Sequence, residues 1–293
     1  MRTTVSAAVD EVRRRAGSAV FRKVAGADGP AARERIHLTP GPRWFAPDSP
    51  IQQVHGDASM FVGGLRALLL QSLHPEAMAA VAGHSGYKSD PWGRLARTST
   101  FLAVTTFGTA QDAQEAVDRV RAIHERVRGT TPDGVRYRAS DPRLLRWVHV
   151  AEVDSFLTAH RWYGVRPLRA SDADTYVAQT AEVARALGAR DVPTTVVELR
   201  AAIQAFRPEL AATPAALDTA RFLLLRPPLP VPVRLPYLPL AAAAVALLPP
   251  WARVALRLPE VPRGPAQAGG RAVTRMIRWA MAGDRPPSPE DAV

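Results

Sequence analysis

Ala113-Gln114-Glu115-Ala116-Val117-Asp118-Arg119-Val120-Arg121-Ala122-Ile123-His124-Glu125-Arg126-Val127 is the stretch that decides the fold. Ala113, Ala116, Val117, Val120, Ile123, His124 and Val127 follow one another at steps of three, one, three, three, one and three. That spacing lays them along one stripe of an α-helix. Glu115, Asp118, Arg119, Glu125 and Arg126 fall on the opposite side. Thr109-Ala110-Gln111-Asp112 reads as a capping box ahead of the helix, and Gly129 as the residue that closes it. The stripe predicts that His124 points into the interior among small aliphatic side chains.

The flanking segments obey the same period. Asp90-Pro91 opens the preceding helix, with proline in its first turn, and Arg94, Leu95, Arg97, Thr98, Phe101, Leu102 and Thr105 carry it to Gly108. Upstream, Met60-Phe61-Val62-Gly63-Gly64-Leu65-Arg66-Ala67-Leu68-Leu69-Leu70 is apolar on nearly every side, as a central bundle helix is. Pro75 divides it from an apolar run over 77–82. Downstream, Ser140-Asp141-Pro142 caps a helix to about Tyr163, and further helices follow at 171–188, 194–206 and 213–225. The chain opens with amphipathic helix to about Val24 and then turns irregular, with glycine or proline at 26, 29, 30, 40, 41, 42, 47 and 50. Six prolines over 226–240 predict an extended segment lying on the surface. Period-two alternation is confined to short pieces near 135–138 and 231–235. The pattern predicts an all-α chain: one helical domain with a Pro-rich C-terminal segment.

Composition narrows the function. The chain has 293 residues and a net charge of +11, nearly all of it arginine, since Lys23 and Lys88 are the only lysines. The arginines alternate with acids, and neither a basic stripe nor stacking aromatics accompany them, so no nucleic-acid partner is expected. With no cysteine, disulfides, iron–sulfur clusters, thiolate haem and cysteine nucleophiles are excluded. The first 26 residues carry Arg13-Arg14-Arg15 and no continuous apolar run, unlike a secretory signal, which favours the cytoplasm. Residues 238–248 are the most apolar stretch, too short for the roughly 20 residues a spanning helix needs. They suit a buried helix or a surface that meets lipid or a greasy substrate.

Three groups of residues could carry chemistry. His124 is either a core histidine bonded to a carbonyl or an axial metal or haem ligand, since small aliphatic neighbours suit a flat macrocycle. Arg94, Arg97 and Thr98 share one helix side. They are either surface arginines with stems laid over the core or a distal pocket that steers a bound dioxygen or peroxide. Arg66 is a lone charge on an apolar helix and needs an anion, a carboxylate or a cofactor propionate. A further series, His149, Glu152, Phe156 and His160, suggests a metal site. A di-iron bundle would need two Glu-x-x-His motifs and two more glutamates; here the order is reversed and occurs once. His149 can equally be a supporting or a core residue. His-Glu-x-x-His, P-loop and Gly-x-Ser-x-Gly motifs are absent.

In order and spacing these segments resemble a known family. Gln71-Ser72-Leu73-His74-Pro75, His84-Ser85, Pro91-x-x-Arg94-x-x-Arg97-Thr98, Val104-Thr105-Thr106-Phe107-Gly108, His124-x-x-Val127-x-Gly129, Tyr137-x-Ala139-x-Asp141-Pro142 and Trp147-Val148-His149 are similar to the catalytic domain of rubber oxygenases (latex-clearing proteins) and mpaB-type oxygenases. The resemblance spans about 45–260, between an N-terminal helix and irregular arm at 1–44 and a tail with a short helix at 261–293. It implies a globin-like helical fold holding haem b, with iron on His124, and Arg94 and Thr98 on the distal side. Arg97 stands where latex-clearing relatives have a lysine that can cap the iron, and a guanidinium is a poor iron ligand. The expected function is a haem-dependent oxygenase taking dioxygen and a small apolar, olefinic or isoprenoid, substrate, with peripheral membrane contact open. The alternatives are a non-catalytic haem or lipid binder and a cofactor-free membrane-surface protein.

Overall fold

The computed structural model describes residues 2–229 and 231–282. The helices are α1 (Arg2–Ala25), α2 (Gly29–Leu38), α3 (Pro50–His55), α4 (Met60–Gln71), α5 (Pro75–His84), α6 (Pro91–Phe107) and α7 (Ala110–Arg126). After them come a two-stranded hairpin, β1 (Arg128–Thr130) and β2 (Arg136–Arg138), then α8 (Pro142–Tyr163), α9 (Ala170–Ala186) and α10 (Val196–Phe206). The chain continues through α11 (Pro214–Leu225), α12 (Val231–Ala246), α13 (Pro250–Ala255) and α14 (Arg263–Met281). The fold is all-α, with starts set where the sequence places them: proline enters the first turn of α5, α6, α8 and α11.

The centre is the crossing of α4 and α8. Val62, Leu65, Leu69 and Leu70 of α4 bury against Trp147, Val150, Ala151, Phe156 and Ala159 of α8. Gly63 permits the approach. A Cβ there would lie 2.8 Å from Phe156 Cδ1 and 3.1 Å from its Cα. α10 covers α8 with Leu199, Ile203 and Phe206, while Leu240, Ala244 and Val245 of α12 cover α4. A second group of helices, α1, α2 and α7, packs around α6.

Several expectations are corrected. Residues 26–50 are not irregular throughout, because Gly29 and Pro30 start α2, where a missing N–H has no helical partner to lose. Residues 231–246 are helix, neither extended nor strand. Burial from Leu240 onward holds α12, and Pro236 and Pro239 lie in its exposed half; Pro230 lies outside the described residues. Gly129 does not cap α7, which ends at Arg126 with Val127 as its C-cap. It pairs with Tyr137 across β1 and β2, and Tyr137 Oη lies 2.5 Å from where its Cβ would be. The C-terminal segment is no short tail helix either, since α14 has 19 residues and packs on α12 and α1 with Val273, Ile277 and Ala280 buried. Residues 283–293 lie outside the described residues.

Candidate functional site

The two-residue link Gly108-Thr109 turns α7 back onto α6. Thr109 Oγ1 accepts from the Asp112 N–H at 3.1 Å and donates to Asp112 Oδ2 at 2.8 Å, so Thr109 is the N-cap of α7. In such a hairpin the first turns of α6 and the last turns of α7 lie at one end. Arg94, Arg97 and Thr98 lie in the first turns of α6 and His124 in the last turn of α7, in each helix the part remote from the link.

His124 is half-buried, not sealed in the core. The stripe is fully buried at Ala113 and Val117, half-buried at Val120, and open by Ile123, which is 44% exposed. The His124 Nδ1 is nevertheless buried with no hydrogen-bond partner. Burial pushes its pKa down, weakly opposed by Glu125, so the ring is neutral near pH 7. A neutral imidazole is the form that binds a metal.

Arg94 is half-buried and has no hydrogen-bond or ion-pair partner among the described residues. Burial lowers its pKa, but a guanidinium stays charged. Arg97 is exposed and pairs with the equally exposed Asp90 at 3.3 Å. The exposed Thr98 donates its hydroxyl to the Arg94 carbonyl at 3.1 Å. Arg66 meets a carboxylate rather than standing free. Its Nε donates to Leu247 O at 2.9 Å, Nη1 to Ser155 Oγ at 2.6 Å and Nη2 to Asp154 Oδ2 at 2.7 Å. This guanidinium is engaged within the fold through three bonds, and of the two anions expected for it the one it meets is a carboxylate, Asp154.

The α8 series does not form one centre. His149 and Glu152 share a side of the helix. Burial, with help from Arg185, holds the His149 pKa at about 3, and burial raises Glu152 to about 7 against a bond from Gln71. The His149 Nε2 is buried without a partner. His160 lies near Asp57 and Arg278 at the far end of α8, buried with its Nδ1 unpartnered. Among the described residues no three histidine, aspartate or glutamate side chains are placed to hold one metal ion.

Two hollows lie away from the hairpin. One of about 410 Å³ is lined by Arg146, Val192, Glu198 and Ala202 among others, and one of about 210 Å³ by His74, Glu76, Asp133 and Glu209 among others. Neither is lined by His124, Arg94, Arg97 or Thr98. The sequence reading missed His55, whose Nδ1 pairs with Thr106 Oγ1 at 2.8 Å and whose Nε2 meets Tyr176 Oη at 3.3 Å. Burial depresses its pKa to about 3. Its partners are 51 and 121 residues away in sequence, beyond any spacing rule.

Residues 52–279 match the family described as ER-bound oxygenase mpaB/B'/rubber oxygenase, catalytic domain. The chain belongs to this family, whose description is that of an oxygenase catalytic domain. Uncharacterized proteins of Mycobacterium tuberculosis and Mycobacterium bovis are each 38% identical to it over 85 residues, 29% of this chain. The matching region spans 32% of those relatives' length. No solved structure matches the fold.

Proposed function

We propose that this oxygenase holds haem b through His124 and acts on an apolar, olefinic or isoprenoid, substrate. The supporting observation is the neutral imidazole with an orphaned, buried nitrogen on the hairpin that also presents the uncommitted Arg94. A buried nitrogen without a partner costs about 1–3 kcal/mol, a cost that a bound ligand or metal meeting the ring would remove.

Bound haem would supply the redox chemistry that dioxygen activation requires. The chain's own residues do the rest. His124 offers a neutral ring without a proton having to leave at neutral pH. Arg94 offers N–H donors with no competing acceptor, suited to a carboxylate or to oxygen carrying negative charge. The Thr98 hydroxyl, now turned to the Arg94 carbonyl, can rotate toward the same region. Arg97 is drawn off by Asp90 and has no basic lone pair, so it contributes charge and not ligation. Half-buried Val120, Phe101 and Leu102, with the more open Ile123 and Leu95, make an apolar flank suited to a substrate recognised by burial.

The test is spectroscopic. Purified protein, or protein given hemin, should show a Soret band near one haem per chain. His124→Ala should lose that band while keeping its helical circular dichroism. Stoichiometric haem retained in His124→Ala would defeat the ligand assignment, and a wild-type chain that takes up no hemin would defeat the cofactor.

A further inference from the structure

Between Asp218 and Glu260 the chain carries five arginines, Arg221, Arg226, Arg234, Arg253 and Arg257, and no acid. Within that stretch the end of α11 and the beginning of α12 expose large aliphatic side chains. Leu225 is 77% and Leu235 74% exposed, and Val233 and Leu238 are exposed as well. Two hydrogen bonds hold this junction. Tyr237 Oη donates to Leu223 O at 2.7 Å, joining the two helices, and Arg234 Nε donates to Leu229 O at 3.1 Å. Arg221, Arg226 and Arg234 are exposed and in no ion pair among the described residues.

Aliphatic side chains left in water beside unpaired cations, with no anion between them, do not suit a solvated face. They match a lipid surface, where the aliphatic groups enter the interface and the arginines reach phosphates with their stems laid on the apolar boundary. A protein partner would need a complementary acidic rim around an apolar centre, whereas an anionic bilayer offers both everywhere. No helix among the described residues is long and apolar enough to cross a membrane, so the contact considered is at the surface.

We propose that the α11–α12 junction docks this chain on membranes rich in anionic phospholipid, with Leu225, Leu235 and Leu238 inserting and Arg221, Arg226 and Arg234 pairing with lipid phosphates. The junction also borders the hairpin, because Trp92 Nε1, in the first turn of α6, donates to Pro228 O at 3.1 Å. Trp92 is two residues from Arg94. The docked face thus adjoins the first turn of α6, so that an apolar substrate leaving the bilayer there would arrive at that helix; this last step rests on the function proposed above.

The full-length chain is floated with phosphatidylcholine vesicles, with and without phosphatidylglycerol, at low and high salt. Binding should require phosphatidylglycerol and fall with salt, by about five-fold for each arginine screened or removed. Leu225→Ser with Leu235→Ser should weaken binding more than ten-fold, and so should Arg226→Glu with Arg234→Glu; all four positions are exposed, so unchanged circular dichroism is expected. Because the chain has no cysteine, Leu235→Cys accepts a single environment-sensitive fluorophore, which should brighten and shift to the blue on anionic vesicles. No flotation at low salt with excess lipid, flotation indifferent to the leucine pair, or a silent label would each overturn the proposal. So would a concentration-dependent dimer that the leucine pair abolishes, which would give this face to a second copy. His124→Ala should bind vesicles as the wild type does, so failure of the haem reading and failure of docking are separately visible.

Discussion

Arg66→Met removes the one charge from the centre of α4 and leaves three groups without their donor. Arg66 is 3% exposed, and its guanidinium ties α4 to Asp154 and Ser155 of α8 and to the Leu247 carbonyl after α12. Methionine nearly matches the stem, so the loss is polar rather than volumetric. Removing one partner of a buried pair costs about 3–5 kcal/mol. Asp154 keeps partial access to water, with 19% of its side chain exposed, which argues for the lower end of that range, about 3 kcal/mol. With a urea slope near 3 kcal/mol/M, the unfolding midpoint should fall by about 1 M. Adding Asp154→Leu removes the stranded carboxylate and should restore about 1 kcal/mol or more, a coupling that a double-mutant cycle reads directly. Haem uptake per folded chain should be unchanged. A variant with the wild-type midpoint but lost haem would refute the structural role and return Arg66 to the cofactor.

Glu152→Gln should alter pH dependence. The folded-state pKa of about 7 lies above the ordinary 4.5, so the folded chain holds this proton more tightly. The resulting stability is complete below pH 4.5 and is lost as pH rises through about 7. The full shift corresponds to roughly 3 kcal/mol, reduced to about 1–2 because the side chain keeps some solvent access. Urea midpoints of wild type and variant should therefore diverge between about pH 4.5 and 7, the wild type losing more, and keep a constant gap above neutrality; curves parallel across the whole range would remove the perturbed acid. At the α4–α8 crossing, Gly63→Ala should cost about 1–3 kcal/mol by thermal or urea unfolding, since its Cβ meets Phe156 at 2.8 Å. Gly64→Ala is the control: nothing lies within 4 Å of its Cβ, so the substitution should be neutral or stabilise by up to about 1 kcal/mol. Equal effects at the two positions would contradict the close crossing.

Much of the candidate site was legible because helices are local objects. The stripe of α7 and the Thr109 cap needed only period and side-chain chemistry. The same is true of Pro91 and Pro142 as starts, and the order of motifs around Arg94, Thr98 and His124 was enough to suggest the family. Burial was less legible. Periodicity shows which side of α7 faces inward, but not that its last turns run out of core, leaving His124 half-buried beside an open Ile123.

By itself the sequence determined the helical class, most helix boundaries, the family and the residues that could carry chemistry, since each follows from neighbours within a few turns. Only the tertiary structure decided who meets whom. Arg66 finds Asp154 and Leu247 at separations of 88 and 181 residues, and His55 finds Tyr176 at 121. The prolines of 231–246 sit in helix because later residues of that helix are buried on α4 and α14. Pairing across such distances depends on how whole helices pack, and local periodicity carries no information about it.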